Sequence, residues 1–482
     1  MRRRFKASYY NLRVASGATT LLFNGITGGL LRLTKGMERD LAPLLGSERA
    51  RKAGTGYADW DPPRFTRQDL PAAIARRFDE FIDSGIFVPD VCDEREDLRR
   101  SYIANRSNAP FFVTITTTLD CNMRCYYCYQ KEGELESMSP DMCDAIAAWT
   151  KAKIEKENHS RLYVDWYGGE PMLNQAVIDR YSDAMISFCG ERHIAYKASM
   201  ICNGTAWPPD PVKFVERNRL HSIQFSLDGP RQHHDKRRGL IDAKGGAGRT
   251  ASFDTVMSTI DALIGRTKIY LRINVDPWIG RDCLDVIDAC AARGWLDPDT
   301  RFYPYVAIIN AMTEHCGFIA KAKRFEEFNE EFHGIQQEFY ERLRRYRDEK
   351  SFEVVQYYPN RVMINCSAVS NNAVVFGPNG RMYKCGLDVG DQHRAHAALN
   401  LDGSMGPEPD AKARMLPPDR WDRYDPFTHA RCKECQYLPV CMGGCPKAQI
   451  DRDEAQIRMQ SEFWEKNFDR IIREYFAAAG GH

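Results

Sequence analysis

The chain has 482 residues, a formal net charge of +1, 43% hydrophobic residues and 28% charged residues. This length allows two or three domains. The near-zero charge argues against a nucleic-acid or membrane partner recognised through bulk charge. No targeting segment is visible and no apolar stretch is long enough to cross a bilayer, so we expect a cytoplasmic protein. Sixteen cysteines in such a chain favour metal or cluster ligation over disulfides.

The first 108 residues are predicted to form a region of their own. Residues 9–14 and 19–23 are typical of two short strands in a hairpin-like start. An amphipathic helix is predicted at 70–84 and a charged helix from 93 to about 106. This combination resembles the winged-helix-like recognition element of peptide-modifying systems. The alternative is a plain N-terminal extension that packs on the next domain.

Three cysteines, Cys121, Cys125 and Cys128, follow directly after an apolar, β-branched run at 111–118 that predicts a strand. Three thiolates that converge on one point favour a soft metal or an iron–sulfur cluster. Because a four-iron cluster needs four ligands, three cysteines leave one iron open for chemistry. The alternative is a structural zinc loop that takes its fourth ligand from elsewhere.

From residue 111 to about 306 the pattern alternates between strands and helices. The predicted strands are 111–118, 162–167, 197–202, 222–227, 269–275 and 301–306. Repeated βα units imply a parallel sheet. Six strands suit a partial or open TIM-like barrel of the (β/α)6 kind, with the active site at the carboxyl ends of the strands.

Polar and glycine residues occur at those strand ends. The second strand ends in Gly168-Gly169-Glu170, where paired glycines allow close backbone approach and the carboxylate can accept from an ammonium. Asn203 ends the third strand. Arg272 alternates inward from the fifth strand, and an ordinary salt bridge inside the barrel is its alternative role.

Together these motifs resemble those of radical S-adenosylmethionine (SAM) enzymes. The cysteine spacing, with Tyr127 just before the third cysteine, is similar to the signature of that family. The resemblance implies a [4Fe-4S] cluster on the three cysteines, whose open iron chelates the amino and carboxylate groups of SAM. It implies that Glu170 holds the amino group, that Ser226 and Arg238 contact the carboxylate, and that Asp228 lies near the ribose. The predicted SAM-binding residues are Tyr127, Gly168, Gly169, Glu170, Asn203, Ser226, Asp228, Arg238 and Arg272.

A second group of cysteines lies towards the C-terminus: Cys366, Cys385, Cys432, Cys435, Cys441 and Cys445. Their spacing resembles the SPASM domain of radical SAM enzymes, which carries up to two auxiliary iron–sulfur clusters. By this resemblance Cys366, Cys385 and Cys445 serve the first auxiliary cluster. The others serve the second.

The family pattern ends with a seventh cysteine, and this chain has none after Cys445. The second auxiliary cluster then has an open position, takes a ligand such as Asp451 or Asp453, or is not built. The first can also have an open iron. A four-cysteine zinc site from Cys432 to Cys445 is the alternative.

The resemblance predicts an N-terminal region at 1–108, a radical SAM core at 109–310 and a bridging helix at 311–355. An auxiliary-cluster domain at 356–450 and a C-terminal helix and tail at 451–482 complete the chain. The implied enzyme cleaves SAM to a 5′-deoxyadenosyl radical, which takes a hydrogen atom from a ribosomally made precursor peptide with a leader segment. The product would be a thioether or C–C crosslink, or an epimerised residue. A flavodoxin- or ferredoxin-type donor would supply the electron.

Two other functions stay open. Anaerobic sulfatase maturases place an Asp directly after the cysteine that corresponds to Cys385. This chain has Gly386 there, which counts against that function and leaves Asp388 as the candidate catalytic residue. The function from another class is a non-catalytic, metal-stabilised protein that binds peptides or carries electrons.

Overall fold

The computed structural model describes residues 3–45, 57–130, 135–241, 249–309, 323–347, 358–406 and 419–478. The chain divides into two compact units. The first unit comprises Met1–Ala109, Gln356–Asn371 and Asp419–His482, and the second comprises Pro110–Val355 and Asn372–Pro418. Within the described ranges, no helix is long and apolar enough to span a membrane.

The first unit contains short strands near its N-terminus: β1 (Phe5–Ala7), β2 (Asn11–Ser16), β3 (Thr19–Asn24), β4 (Leu30–Leu33) and β5 (Phe87–Pro89). β1 pairs with β5, and β2, β3 and β4 form an antiparallel sheet in that order. The helices of this unit are Lys35–Leu41, Ala72–Arg76, Phe78–Asp83, Glu94–Asn108, Leu438–Cys441, Pro446–Ile450 and Glu454–Ala478. The prediction of a single helix at 70–84 is wrong in one respect, because the structure has two short helices there. They are separated at Arg77, whose backbone (φ −100, ψ 15) leaves the helical range.

Apolar side chains cover both faces of β3. Leu22 belongs to a buried cluster with Phe81 and Phe87. Leu21 and Phe23 point the other way, into a cluster that includes residues of the helix Glu454–Ala478. Because successive side chains of a strand face opposite sides, the apolar run of β3 holds two small cores together.

The second unit is built on one large sheet. Its strands are β6 (Phe111–Thr116), β7 (Arg161–Tyr167), β8 (Ala195–Cys202), β9 (Leu220–Leu227), β12 (Lys268–Val275), β13 (Phe302–Ile308), β14 (Ala373–Phe376), β15 (Arg381–Tyr383) and β16 (Ala397–Ala398), with β10 (Leu240–Ile241) and β11 (Arg249–Thr250) paired separately. The sheet order is β13-β12-β9-β8-β7-β6-β14-β15-β16. The strands from β13 to β6 are parallel, which confirms the mostly parallel sheet predicted from the βα repeats.

The sheet is longer than the sequence pattern predicts. β14 adds to β6 in parallel, and β15 and β16 continue the sheet in antiparallel order. Residues 373–398 were expected in a separate C-terminal domain. β14 and β15 form a hairpin, and the local sequence of a hairpin does not specify which sheet edge accepts it.

Helices pack on one face of this sheet and leave the other face partly accessible. The described helices are Pro140–Glu157, Gln175–Glu191, Pro211–Arg217, Arg231–Arg238, Phe253–Leu263, Asp285–Ala292 and Lys323–Arg344. Residues 311–322 and 348–355 of the predicted bridging helix lie outside the described ranges. On β7, Leu162, Val164 and Trp166 are buried in the main core, whereas the residues between them are only partly buried. The partly accessible face therefore carries the polar side chains of the strands.

Candidate active site

Backbone hydrogen bonds join the cysteine loop after β6 to the loop after β7. The backbone N–H of Gly169 donates to the Thr118 carbonyl at 2.9 Å, and that of Glu170 donates to the Asp120 carbonyl at 2.9 Å. A Cβ atom on Gly169 would lie 2.7 Å from the Leu119 carbonyl oxygen. The paired glycines thus allow two backbones of the chain to touch, a role that sequence reasoning assigned to ligand approach.

The three cysteines of this loop are shielded from water. Cys125 is buried, and Cys121 and Cys128 are partly buried. Asn203 places its amide nitrogen 3.8 Å from the Cys121 sulfur. Burial, then the Glu170 carboxylate, raises the pKa of Cys121 to about 12. Thiolates at this site therefore need a positively charged partner, and a bound iron cluster provides one.

Glu170 connects the ends of two neighbouring strands. Its carboxylate accepts from the backbone N–H of Met172 at 3.0 Å and from that of Asn203 at 2.6 Å. Burial raises the pKa of Glu170 to about 7, against the opposing effect of these two hydrogen bonds. A buried carboxylate of this kind suits an ammonium partner, and it also fixes the loop after β7 to the loop after β8.

A buried polar network brings four residues from separate elements together. The Tyr127 hydroxyl donates to Asp228 at 2.7 Å and accepts from Arg238 at 2.7 Å. The Asn274 amide donates to Tyr127 at 3.0 Å and to Asp228 at 3.1 Å. Three residues predicted to bind SAM, Tyr127, Asp228 and Arg238, therefore lie within one network.

Arg238 has an unused donor in this network. Its Nε is buried and has no hydrogen-bond partner among the described residues. Burial lowers the pKa of Arg238, but the nearby Cys125, Tyr127 and Asp228 raise it by more. The net shift of the pKa is upward, so the side chain stays charged. A charged, buried guanidinium with a free N–H near the cysteine loop suits a carboxylate ligand. The residues present thus fit the cofactor that the motifs imply.

Sequence reasoning missed further members of the network. Arg237 forms ion pairs with Asp228 at 3.2 Å and with Asp276 at 2.6 Å, and Asp276 also accepts from the Tyr126 hydroxyl. His234 accepts from the backbone N–H of Asp228 at 3.2 Å. Burial, then Arg238, lowers the pKa of His234 to about 4, so this imidazole is neutral.

A local signal for these residues was available. His234 lies three and four residues before the two arginines on the helix Arg231–Arg238, a spacing that puts side chains on one face. Asp276 comes directly after β12, at the same edge of the sheet as Asp228 after β9.

Ser226 and Arg272 are directly opposite each other on β9 and β12. Both are partly buried and belong to the accessible face of the sheet. Arg272 donates to Asn274 at 2.8 Å and, within the described residues, forms no ion pair with a carboxylate. Arg272 thus reaches the buried network through Asn274, and its binding to SAM stays a prediction.

The residue after Cys385 contacts the end of β7. A Cβ atom on Gly386 would lie 3.3 Å from the ring of Tyr167. Asp388, the candidate catalytic residue, is buried and forms an ion pair with Arg394 at 3.5 Å. Both contacts lie in the second unit.

The remaining auxiliary cysteines belong to the first unit. Burial, followed by the thiols of Cys441 and Cys432, raises the pKa of Cys435 to about 12. Burial, then Cys432, raises the pKa of Cys441 to about 11. These three cysteines therefore lie near one another. No group of three or more His, Cys, Asp or Glu side chains in the described part of the chain is placed to hold a single metal ion.

Comparison with known proteins identifies the domain that contains the site. The family described as the Radical SAM superfamily matches residues 115–277. These residues include the cysteine loop, the glycine pair and the buried network. The chain contains a radical SAM domain. Such a domain implies SAM and a [4Fe-4S] cluster as its cofactors.

Two curated proteins are similar to parts of the chain. The radical SAM cyclopropyl synthase TigE of Paramaledivibacter caminithermalis is 24% identical over 135 residues, which cover 25% of this chain and 28% of TigE. The sporulation killing factor maturation protein SkfB of Bacillus subtilis is 24% identical over 191 residues, covering 39% of this chain and 41% of SkfB. The chain thus spans less than half of each relative.

A solved structure shares the fold. It is described as native anSMEcpe with bound AdoMet and Cp18Cys peptide. It is 15% identical to this chain, with a TM-score of 0.53, and the match covers 78% of this chain and 100% of the other. The radical SAM fold with its mostly parallel central sheet is therefore confirmed.

Proposed function

We propose that this chain is a radical SAM enzyme that modifies a ribosomally made precursor peptide. The observation that carries the proposal is the buried, charged Arg238, whose free Nε lies near a loop of three cysteines. The name of one relative, a sporulation killing factor maturation protein, supports a peptide or protein as the substrate class.

Each part of the site has a defined task in this proposal. Cys121, Cys125 and Cys128 would hold the cluster, which together with SAM would supply a 5′-deoxyadenosyl radical able to remove a hydrogen atom from the substrate. Arg238 and Ser226 would bind the SAM carboxylate. Glu170 would accept from the SAM ammonium.

The second set of residues orients and shields these groups. Tyr127, Asp228 and Asn274 fix the Arg238 guanidinium in one orientation, and Asn203 contacts Cys121. The network is buried, so it excludes water from the reacting groups and strengthens the electrostatic contacts between them.

The auxiliary cysteines, the N-terminal region and the electron donor belong to the proposal as well. Cys432, Cys435 and Cys441 would hold an auxiliary cluster. Residues 1–108, with the antiparallel sheet of β2, β3 and β4, would capture the leader segment, and a flavodoxin- or ferredoxin-type protein would deliver the electron.

The contact at Gly386 counts against a sulfatase-maturase-like function. A Cβ at that position would lie 3.3 Å from the Tyr167 ring, so an aspartate there would require the ring to shift by a few tenths of an ångström. Asp388 lies nearby but forms an ion pair with Arg394. Neither position next to Cys385 therefore offers the free aspartate that a sulfatase-maturase-like function would need.

Co-expression with a peptide tests the proposed function. Short reading frames beside the gene are expressed with the wild-type chain or with the Cys125→Ala variant, and each peptide is analysed by mass spectrometry after growth in normal and in deuterated water. We expect one peptide to lose the mass of two hydrogen atoms through crosslinking, or to gain deuterium at a carbon through epimerisation. Identical peptides from both strains in both media would contradict the proposal.

A further inference from the structure

Two consecutive backbone turns link His429 to two cysteines of the C-terminal array. The backbone N–H of Cys432 donates to the His429 carbonyl at 3.0 Å, and that of Cys435 donates to the Cys432 carbonyl at 3.0 Å. Each bond closes a turn between residues three apart. The two turns therefore bring the backbones of His429, Cys432 and Cys435 close together.

The imidazole of His429 also contacts a cysteine sulfur. Its Nδ1 lies 3.7 Å from the sulfur of Cys432. Metal–nitrogen and metal–sulfur bonds are about 2.0–2.3 Å long, so a metal atom bound to Cys432 is within reach of this nitrogen. Imidazole is an established ligand of iron and zinc, and histidine replaces cysteine on some iron–sulfur clusters.

The aspartates considered from the sequence have other partners. Asp451 forms an ion pair with Lys447 at 2.7 Å. Asp453 accepts from the backbone N–H of Gln456 at 3.1 Å, at the start of the helix Glu454–Ala478. A metal ion would compete with these contacts for either carboxylate. His429 makes its side-chain contact with the cysteine array itself.

We propose that His429 is the fourth protein ligand of the iron–sulfur centre held by Cys432, Cys435 and Cys441. It supplies the position that these three cysteines leave open on a four-ligand centre. The inference rests on the auxiliary centre of the proposed function. A nitrogen ligand in place of a thiolate raises the reduction potential of a cluster, so this centre is more easily reduced than an all-cysteine one.

The test uses the full chain, purified without oxygen and reconstituted with iron and sulfide. Four variants are compared with wild type: His429→Ala, His429→Cys, Cys432→Ala and the control His221→Ala, an exposed histidine of the second unit. Iron, sulfide and zinc are counted per chain, and pulsed EPR of the reduced protein detects nitrogen bound to iron. Circular dichroism shows that each variant is folded.

We expect a strong nitrogen coupling in wild type and in His221→Ala that is lost in His429→Ala and His429→Cys. His429→Cys should keep the wild-type iron content, because a thiolate takes the same position, and its centre should be reduced at a lower potential. Iron content in His429→Ala should fall towards that of Cys432→Ala.

Two results would overturn the inference alone: a wild-type centre without nitrogen coupling, or a coupling that survives in His429→Ala. Loss of zinc but not iron from Cys432→Ala would overturn the iron–sulfur centre itself. Unchanged metal content in Cys432→Ala would do the same. The radical SAM activity is measured separately and stands on the cysteine loop of the second unit.

Discussion

Replacing Gly169 with alanine is expected to disrupt the cysteine loop and to abolish SAM cleavage. The added Cβ would lie 2.7 Å from the carbonyl carbon of Asp120 and from the carbonyl oxygen of Leu119, and closer still to the Asp120 oxygen. These are backbone atoms, which cannot rotate away as a side chain can. The two loops must separate, and the hydrogen bonds from Gly169 to Thr118 and from Glu170 to Asp120 break.

The cost should exceed the ~1–3 kcal/mol that is typical of overpacking, because two backbone hydrogen bonds are lost as well. Urea unfolding measures the change in stability, and iron analysis measures cluster assembly.

Gly190→Ala is the matched control for this variant. Gly190 is an exposed residue of the helix Gln175–Glu191, and an added Cβ would meet no atom within 4 Å. Alanine stabilises a helix interior by about 0.5–1 kcal/mol relative to glycine. Wild-type iron content and stability in Gly169→Ala would show that the two loops do not meet as described.

Asp228→Asn is expected to cost about 3–5 kcal/mol of unfolding free energy, the range for breaking a buried charge pair. Asp228 is fully buried and accepts from Tyr127, Arg237 and Asn274. Without its charge, two buried arginines lose a counter-ion, and the amide group presents a donor where acceptors are needed. Arg238 then loses its fixed orientation, so SAM should bind more weakly than to wild type.

Calorimetry of thermal unfolding and SAM titration of the reconstituted protein measure the two effects. Asp254→Asn is the control, since Asp254 forms an ion pair with Arg231 at the surface, where such pairs contribute little. Equal melting temperatures for the two variants would contradict the network, as would unchanged SAM affinity in Asp228→Asn.

The sequence alone predicts the parts of the fold and of the candidate site that depend on local spacing. The spacing of Cys121, Cys125 and Cys128 indicates a cluster with an open iron, and the strand–loop pattern predicts a parallel sheet. The resemblance to radical SAM enzymes assigned Asp228 and Arg238 to one ligand site, and the structure brings both into one network.

Features that depend on tertiary contacts were not predicted. Gly169 needs no side chain because the Asp120 backbone lies against it, and only the fold brings these two loops together. Asp276 completes the arginine network from the loop after β12, a strand that is distant along the chain. The hairpin of β14 and β15 joins β6 through pairing that no local pattern specifies.

The contact of His429 with Cys432 was partly predictable from the sequence. Its spacing of three residues from Cys432 was visible in the sequence. The contact between its imidazole and the Cys432 sulfur became visible only in the structure.

The most direct test of the account is the amount of 5′-deoxyadenosine that the reconstituted chain forms from SAM with a chemical reductant, without oxygen. Wild type should release 5′-deoxyadenosine and methionine in equal amounts, and Cys125→Ala should release neither, because one of the three cluster ligands is missing. Wild-type formation of 5′-deoxyadenosine no higher than that of Cys125→Ala would contradict the radical SAM mechanism.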